Sequence, residues 1–338
     1  MAAGSVLGQG LQNNAVRRNC SLFFSARQRG VALLIFMLFV FLAATAWTLG
    51  QSRATGLRRQ IDETTAAAMA QAKETLIGRA VTDGNRPGSL PCPDGDNDGV
   101  ADLFAGQNCP AYVGRLPWKT LDLPELVDGY GDRLWYAISP GLRDHPAVQP
   151  LNYQSALQLT FDASPNIAAI VFSPGPSLAT QNGRPSDVVA DYLDGANSDG
   201  DSAYVSGPLS PTFNDKALAI TRDDLFRTVN QRILAEIRGP DDNPAGAPTY
   251  GLRRYWADNG FFPWADSASD GFGDAGITIG SLPFNDLLIN PAALIWLNPN
   301  GWLPLVTYQR LGPNLARIGI VGSGHTMDII PCPSSPCP

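Results

Sequence analysis

The chain has 338 residues, 34 Gly, 28 Pro, only 16% charged side chains and a formal net charge of −7. An acidic balance of this kind excludes nucleic acid as a partner. The Gly and Pro content with few charges points to a loop-rich α+β body with short strands, large enough after residue 82 for one large or two small domains.

The first segment, residues 1–30, carries Arg17, Arg18, Arg27 and Arg29 and no Asp or Glu. Behind it, Val31 to Leu49 is an apolar run without a charge, at about 19 residues just long enough to cross a bilayer as a helix. The basic segment predicts a cytoplasmic amino terminus and everything after Gly50 outside. Arg53, Arg58 and Arg59 weaken that asymmetry and are answered by Asp62 and Glu63. From Gln51 to Val81 there is no Pro, and Leu57, Ile61, Thr65, Ala68, Ala72 and Leu76 recur at helical spacing. Span and stretch therefore read as one helix of about 50 residues, roughly 75 Å long, ended by Asp83-Gly84, Pro87 and Gly88.

The junction Arg27-Gln28-Arg29-Gly30 followed by Val31-Ala32-Leu33-Leu34-Ile35 resembles a type IV prepilin or type II secretion pseudopilin. The resemblance implies a cytoplasmic-face prepilin peptidase that cuts after Gly30, leaving Val31 as the first mature residue in the inner membrane, the head in the periplasm, and other pilin or pseudopilin subunits as partners. Most members of those families carry Glu at the fifth mature position. This chain has Ile35, which is similar to the large K-type pseudopilin and certain minor pilins. The other reading of the same segment is a secretory signal with a small-residue cleavage site near Ala43-Ala44-Thr45-Ala46, although the apolar run exceeds the usual length of about 7 to 15 residues.

Cys20 lies in the leader, leaving Cys92, Cys109, Cys332 and Cys337 outside, an even number suited to an oxidising compartment. Four cysteines allow three pairings. Proximity in sequence and flanking Pro favour Cys92 with Cys109 and Cys332 with Cys337. Zinc is the competing reading, but there is no CxxC and His145 and His325 are distant in sequence from any Cys.

Inside the first cysteine pair lies Asp94-Gly95-Asp96-Asn97-Asp98-Gly99-Val100-Ala101-Asp102. Alternating carboxylates on a tight turn, with Gly99 at the bend and the Val100 carbonyl as a further donor, follow the first half of a calcium-binding EF-hand loop. The expected Ca²⁺ ligands are Asp94, Asp96, Asp98, Val100 and Asp102. The twelfth loop position is Ala105 where an EF-hand has Glu, so Asp102 would coordinate directly or through water. Asp194 to Asp201 and Asp266 to Asp274 are similar but poorer.

Gly88 to Asp94, Gly114 to Leu121 and Asp128-Gly129-Tyr130-Gly131-Asp132-Arg133-Leu134-Trp135-Tyr136 resemble the head of pilin-like secreted subunits, in which a D-x-x-G-x-x-L-x-Y phrase opens a strand. Leu134, Tyr136 and Ile138 alternate with Trp135, Ala137 and Ser139, the period of a half-buried strand. Leu157, Leu159 and Phe161 do the same, and Asn166 to Phe172 reads as a buried strand. Thr221 with Asp224 opens a second helix, striped by Leu225, Val229, Ile233 and Ile237 and ended by Gly239-Pro240. Beyond it, Asn259 to Asp266 and Gly280 to Asn285 echo the Leu-Pro, aromatic and Asp/Gly phrases of the first lobe, which suggests a duplicated helix-plus-sheet unit.

The expected organisation is a leader at 1–30, a transmembrane helix at 31–50, an amphipathic stalk at 51–83, a pilin-like head lobe at 84–220, and a second lobe at 221–338 with a disulfide-stapled tail. The expected fold is α+β, a long amino-terminal helix packed on an antiparallel sheet. No nucleophile, metal-hydrolase or nucleotide-binding motif is present; Gly322-Ser323-Gly324-His325 reads as a Gly-rich turn, and the expectation is a structural subunit, not an enzyme. The alternative is an anchored or exported calcium-dependent binding module for a surface or glycan.

Overall fold

The computed structural model describes residues 28–145, 150–181, 183–240 and 248–332. The chain divides into two compact units, Met1–Arg58 and Arg59–Pro338. Helix α1, Gln28–Thr82, is uninterrupted. Its Val31–Thr48 stretch has a mean hydropathy of 2.4 with none of it buried, long and apolar enough to cross a membrane.

In the second unit, α1 buries Thr65, Ala68, Met69, Ala72, Leu76 and Ala80, a stripe of mainly small side chains whose apolar members join the core that also holds Tyr136 and Val171. Six strands follow: β1 (Val113–Arg115), β2 (Trp135–Ile138), β3 (Leu159–Phe161), β4 (Ser164–Ser173), β5 (Ala203–Tyr204) and β6 (Lys216–Thr221). The long strand β4 is central, pairing antiparallel with β2 and β3 along one edge and with β6 along the other; β1 adds to β2, and β5 lies parallel to β3. Helix α2 (Arg222–Arg238) opens on a full capping box, Thr221 accepting from the Asp224 N–H while Asp224 accepts from that of Thr221. Then come α3 (Gly251–Asn259), β7 (Ile279–Ser281), α4 (Pro291–Leu297), β8 (Val306–Gly312), β9 (Leu315–Ile320) and β10 (Thr326–Ile329). The last three strands and β7 form an antiparallel sheet in the order β10-β9-β8-β7. The class is α+β with two antiparallel-dominated sheets.

One expectation is corrected, and the two sheets, formed before and after residue 221, share a core: α2 buries Leu225, Val229, Ile233 and Ile237 in one apolar cluster that also holds Tyr136 and Val171 of the first sheet and Tyr308 and Ile318 of the second. A single helix stripe serves both sheets. The correction is that β2 is not half-buried: Trp135 and Ala137 are as buried as Tyr136 and Ile138, because residues 174–215 fold over the far face of the first sheet and pack Tyr192, Leu193 and Tyr204 against it.

That cover is pinned by charge. Arg115, almost fully buried, stacks between Trp135 at 4.9 Å and Tyr192 at 4.5 Å and donates to the Ser186 carbonyl at 2.7 Å. Arg184 lies over Tyr192 and reaches Asp132 at 2.8 Å and the Gly175 carbonyl at 2.7 Å. Cationic groups held over aromatic faces in a dry setting contribute about 2 kcal/mol each.

Candidate functional site

The processing junction lies within α1. Gly30 has helical backbone, and Val31 and Ile35 are exposed, 56% and 49%. The basic residues Arg17, Arg18 and Arg27 lie outside the described residues.

Cys92 and Cys109 are both buried and form a disulfide with Cα atoms 5.5 Å apart. Cys332 is also disulfide-bonded and buried; its expected partner Cys337 lies outside the described residues.

Within the first bridge, the loop is organised around Asp94, which is 1% exposed. One carboxylate oxygen accepts from the Asn97 N–H at 2.6 Å and the other from that of Gly99 at 2.7 Å. Gly99 has φ +87°, and a Cβ there would lie 2.6 Å from Nε1 of Trp118, so the bend requires glycine on two counts. Asp102 closes the turn: its N–H donates to the Pro93 carbonyl at 3.2 Å and its carboxylate accepts from Gly95 at 3.1 Å. Oxygen atoms of Asp94, Asp96 and Asp102 all lie within 4.8 Å of one another. Burial, and secondarily repulsion from Asp98 and Asp96, raises the Asp94 carboxyl above its usual range against the pull of its two N–H donors.

Of the four expected carboxylates, Asp94, Asp96 and Asp102 converge and Asp98 lies outside the group; its carboxylate accepts from the Val100 N–H at 2.6 Å, which leaves the Val100 carbonyl uninvolved in that bond. Asp96, Asp94 and Asp102 supply a hard all-oxygen donor set of the type a Ca²⁺ ion takes. Two cations that the sequence did not flag face the loop from behind. Lys119 donates to the Asp98 carbonyl and lies 5.1 Å over the Trp118 ring. Arg133 donates to the Asn97 carbonyl at 2.9 Å and to its side chain, and pairs with Glu125. Thr120 accepts from the Ala101 N–H at 2.8 Å.

The loop at Asp266 repeats this frame bond for bond. Asp266 accepts from Ser269 at 2.6 Å and Gly271 at 2.7 Å, and Gly271 again has φ +87°. Asp94 bridges Arg115 at the end of β1, and Asp266 bridges Ser281 at the end of β7. Gly114 faces Tyr136 as Gly280 faces Tyr308. The two Tyr hydroxyls donate to the carbonyls of Pro91 at 3.4 Å and Pro263 at 2.9 Å. Tyr136 lies opposite Val171, which lies opposite Leu218; Tyr308 lies opposite Ile318, which lies opposite Met327. The four strands β1-β2-β4-β6 and β7-β8-β9-β10 are thus the same unit twice, and the echo in the sequence is a structural duplication. The second loop has Ala268 in the place of Asp96 and Asn285 in the place of Lys119, with the Asn285 amide donating to the Asp270 carbonyl at 2.8 Å. Asp274 accepts from both the N–H and the hydroxyl of Ser267.

The stretch Asp194 to Asp201 is built differently. Asp194 accepts from Gln181 and Asn214, both at 2.8 Å. Asp215 accepts from the Asp194 N–H at 2.8 Å and the Asn197 amide at 2.9 Å, and burial pushes its carboxyl up to about 7. These carboxylates are used up in holding the cover over the first sheet. Among the described residues, the Asp94 loop is where three carboxylates converge. The Ser323 hydroxyl donates to the Ile320 carbonyl and accepts from the His325 N–H at 3.1 Å, a turn without a hydroxyl–imidazole contact. Comparison with known proteins finds no matching family model, no matching curated protein and no matching solved structure.

Proposed function

We propose that the chain is a minor pilin- or pseudopilin-like structural subunit, held in a bacterial inner membrane by residues 31–50 before assembly, with its acidic, disulfide-bearing head in the periplasm. The observation that carries this reading is α1: one helix joins an unburied apolar stretch, Val31–Thr48, to a stretch whose Ala68, Ala72, Leu76 and Ala80 are buried under an antiparallel sheet. The position of Gly30 behind Arg27 and Arg29 supports cleavage by a prepilin peptidase. Ile35 cannot offer the carboxylate that a repeating shaft subunit presents to its neighbour's amine, so the subunit acts in assembly or at a tip, in contact with other pilin or pseudopilin subunits. Ca²⁺ held by Asp94, Asp96 and Asp102 would stiffen the loop inside the disulfide.

Amino-terminal sequencing of the protein purified from membranes tests the reading. Cleavage after Gly30 gives Val31 as the first residue, and Gly30→Leu leaves the full-length chain. A mature start between Thr45 and Leu49 overturns it in favour of an exported binding module released by a signal peptidase.

A further inference from the structure

The duplication makes one difference between the two sheets informative. Strand β6 and its counterpart β10 are both outer strands of their four-stranded units. In the first unit the edge is closed from within the chain: Lys73 of α1 donates to the Ala219 carbonyl at 3.1 Å and pairs with Asp224 at 2.9 Å. Met327 occupies the place of Leu218, so Asp328 is the counterpart of Ala219.

On β10 that edge is open. The His325 carbonyl accepts from the Ile320 N–H across the β9–β10 pair, so residues 325, 327 and 329 face β9, and the alternating Thr326 and Asp328 turn their N–H and C=O groups outward. Among the described residues none of these four backbone groups has a partner. A groove of about 680 Å³ runs beside this strand. Ala235 of α2 and Met327 give it an apolar floor over the buried Leu234, and Arg227 and Gln231 stand at its rim with His325 at one end. Arg227 is exposed and has no ion pair among the described residues. The nearby acids are committed elsewhere, Asp328 to Arg317 at 2.6 Å and Asp223 to the Tyr153 hydroxyl at 2.9 Å.

An unpaired guanidinium on an acidic chain, beside a free strand edge and an apolar slot, matches a partner that is extended and negatively charged. We propose that β10 accepts an extended acidic segment of another protein as an added antiparallel or parallel strand, its backbone bonded to Thr326 and Asp328, its apolar side chains over Met327 and Ala235, and a carboxylate on Arg227. Main-chain bonds supply affinity in strand addition and alternate side chains supply selectivity. This inference is independent of the pilin reading, since it uses only the second sheet and α2.

The test uses the full-length chain in detergent micelles and two fluorescein-labelled peptides, one alternating Val with Glu and one alternating Val with Lys, followed by anisotropy and by amide hydrogen exchange. The Val/Glu peptide should bind saturably and slow exchange at Thr326 and Asp328. Arg227→Glu, a change on an exposed helix face, should weaken it by about tenfold or more and transfer the preference to the Val/Lys peptide. Absence of binding at about millimolar peptide, binding that Arg227→Glu leaves unchanged, or unprotected Thr326 and Asp328 amides would each overturn the proposal. Protection that appears without peptide and grows with protein concentration would assign the edge to a second copy of this chain and overturn it equally.

Discussion

The two repeats share a backbone frame and differ in what surrounds it. In the first, Trp135 and Ala137 look onto a face closed by residues 174–215. Thr307 and Gln309 occupy the same places in the second, where the face carries the exposed Arg317–Asp328 pair and an Ile279 that is 68% exposed. The first Asp loop is tied by a disulfide and gathers three carboxylates; in the second, Trp264 stands in the place of Cys92 under Arg310 at 3.9 Å. The hydrogen bonds that shape the loop are therefore independent of any ligand: Asp266 makes them without the carboxylate that Asp96 adds to the first loop. What distinguishes the repeats is added material, a cover and a set of charges.

The largest expected contrast comes from the far faces. Trp135→Ala should cost about 3–5 kcal/mol by emptying a buried aromatic site, whereas Thr307→Ala at the matching position should stay within about 0.5 kcal/mol. Urea midpoints of the two variants in detergent solution check this, and equal losses would mean that the second face is covered too. Next in size is the bridge: replacing Cys92 and Cys109 by Ser should lower stability by about 3 kcal/mol on the loop-entropy estimate, read from the same melts under non-reducing conditions.

Ca²⁺ gives a smaller effect. With millimolar ion against a Kd of about 0.1 mM, an extracellular-type site stabilises by about 1.4 kcal/mol. The melting temperature should rise with Ca²⁺, the Trp118 environment beside Gly99 should report it by fluorescence, and Asp96→Ala should abolish the rise while Asp270→Ala in the second loop leaves it intact. A response that survives Asp96→Ala places the ion elsewhere.

A pH-dependent effect of a different kind concerns the cover that the second repeat lacks. Burial, opposed by the hydrogen bonds from the Asp194 N–H and the Asn197 amide and helped by repulsion from the Asp194 carboxylate, raises Asp215 from 3.8 to about 7. A carboxyl raised in the folded state binds its proton more tightly there than when unfolded, so its contribution is complete below about pH 4 and is lost as pH rises through about 7. One of its oxygens is buried without a partner, the natural place for the proton. Asp215→Asn keeps an acceptor for Asp194 and Asn197 and should flatten this slope, matching the parent at pH 4 and exceeding it at pH 8 in urea midpoint.

Much of this architecture was legible in the sequence where local chemistry decides it. The long helix followed from an unbroken run without Pro, α2 from Thr221, Asp224 and its apolar stripe, and β4 from Asn166 to Phe172, buried from Ile167 on. The cover was not legible: residues 174–215 have no periodicity, and they are held by Arg115 and Arg184 acting on carbonyls and ring faces, partners without a sequence signature. Lys119 and Arg133 escaped for the same reason, since they bond to main-chain oxygens of Asp98 and Asn97. The core shared by the two sheets was not legible either, because an apolar stripe tells that a helix is buried, not how many sheets it is buried against.

That shared helix sets the order in which the molecule can be made. Strands β1 to β6 have all been synthesised by Thr221, and α1 is at hand to cover part of their near face, yet the rest of that cover is missing until the chain reaches Arg238. Domains tend to fold as they emerge, amino terminus first; here the earlier repeat has to wait for a segment that the later repeat also needs. A nascent chain halted between these two points would have α1 but not α2 over this core, a half-covered and sticky intermediate that chaperones would recognise and that a finished chain never displays.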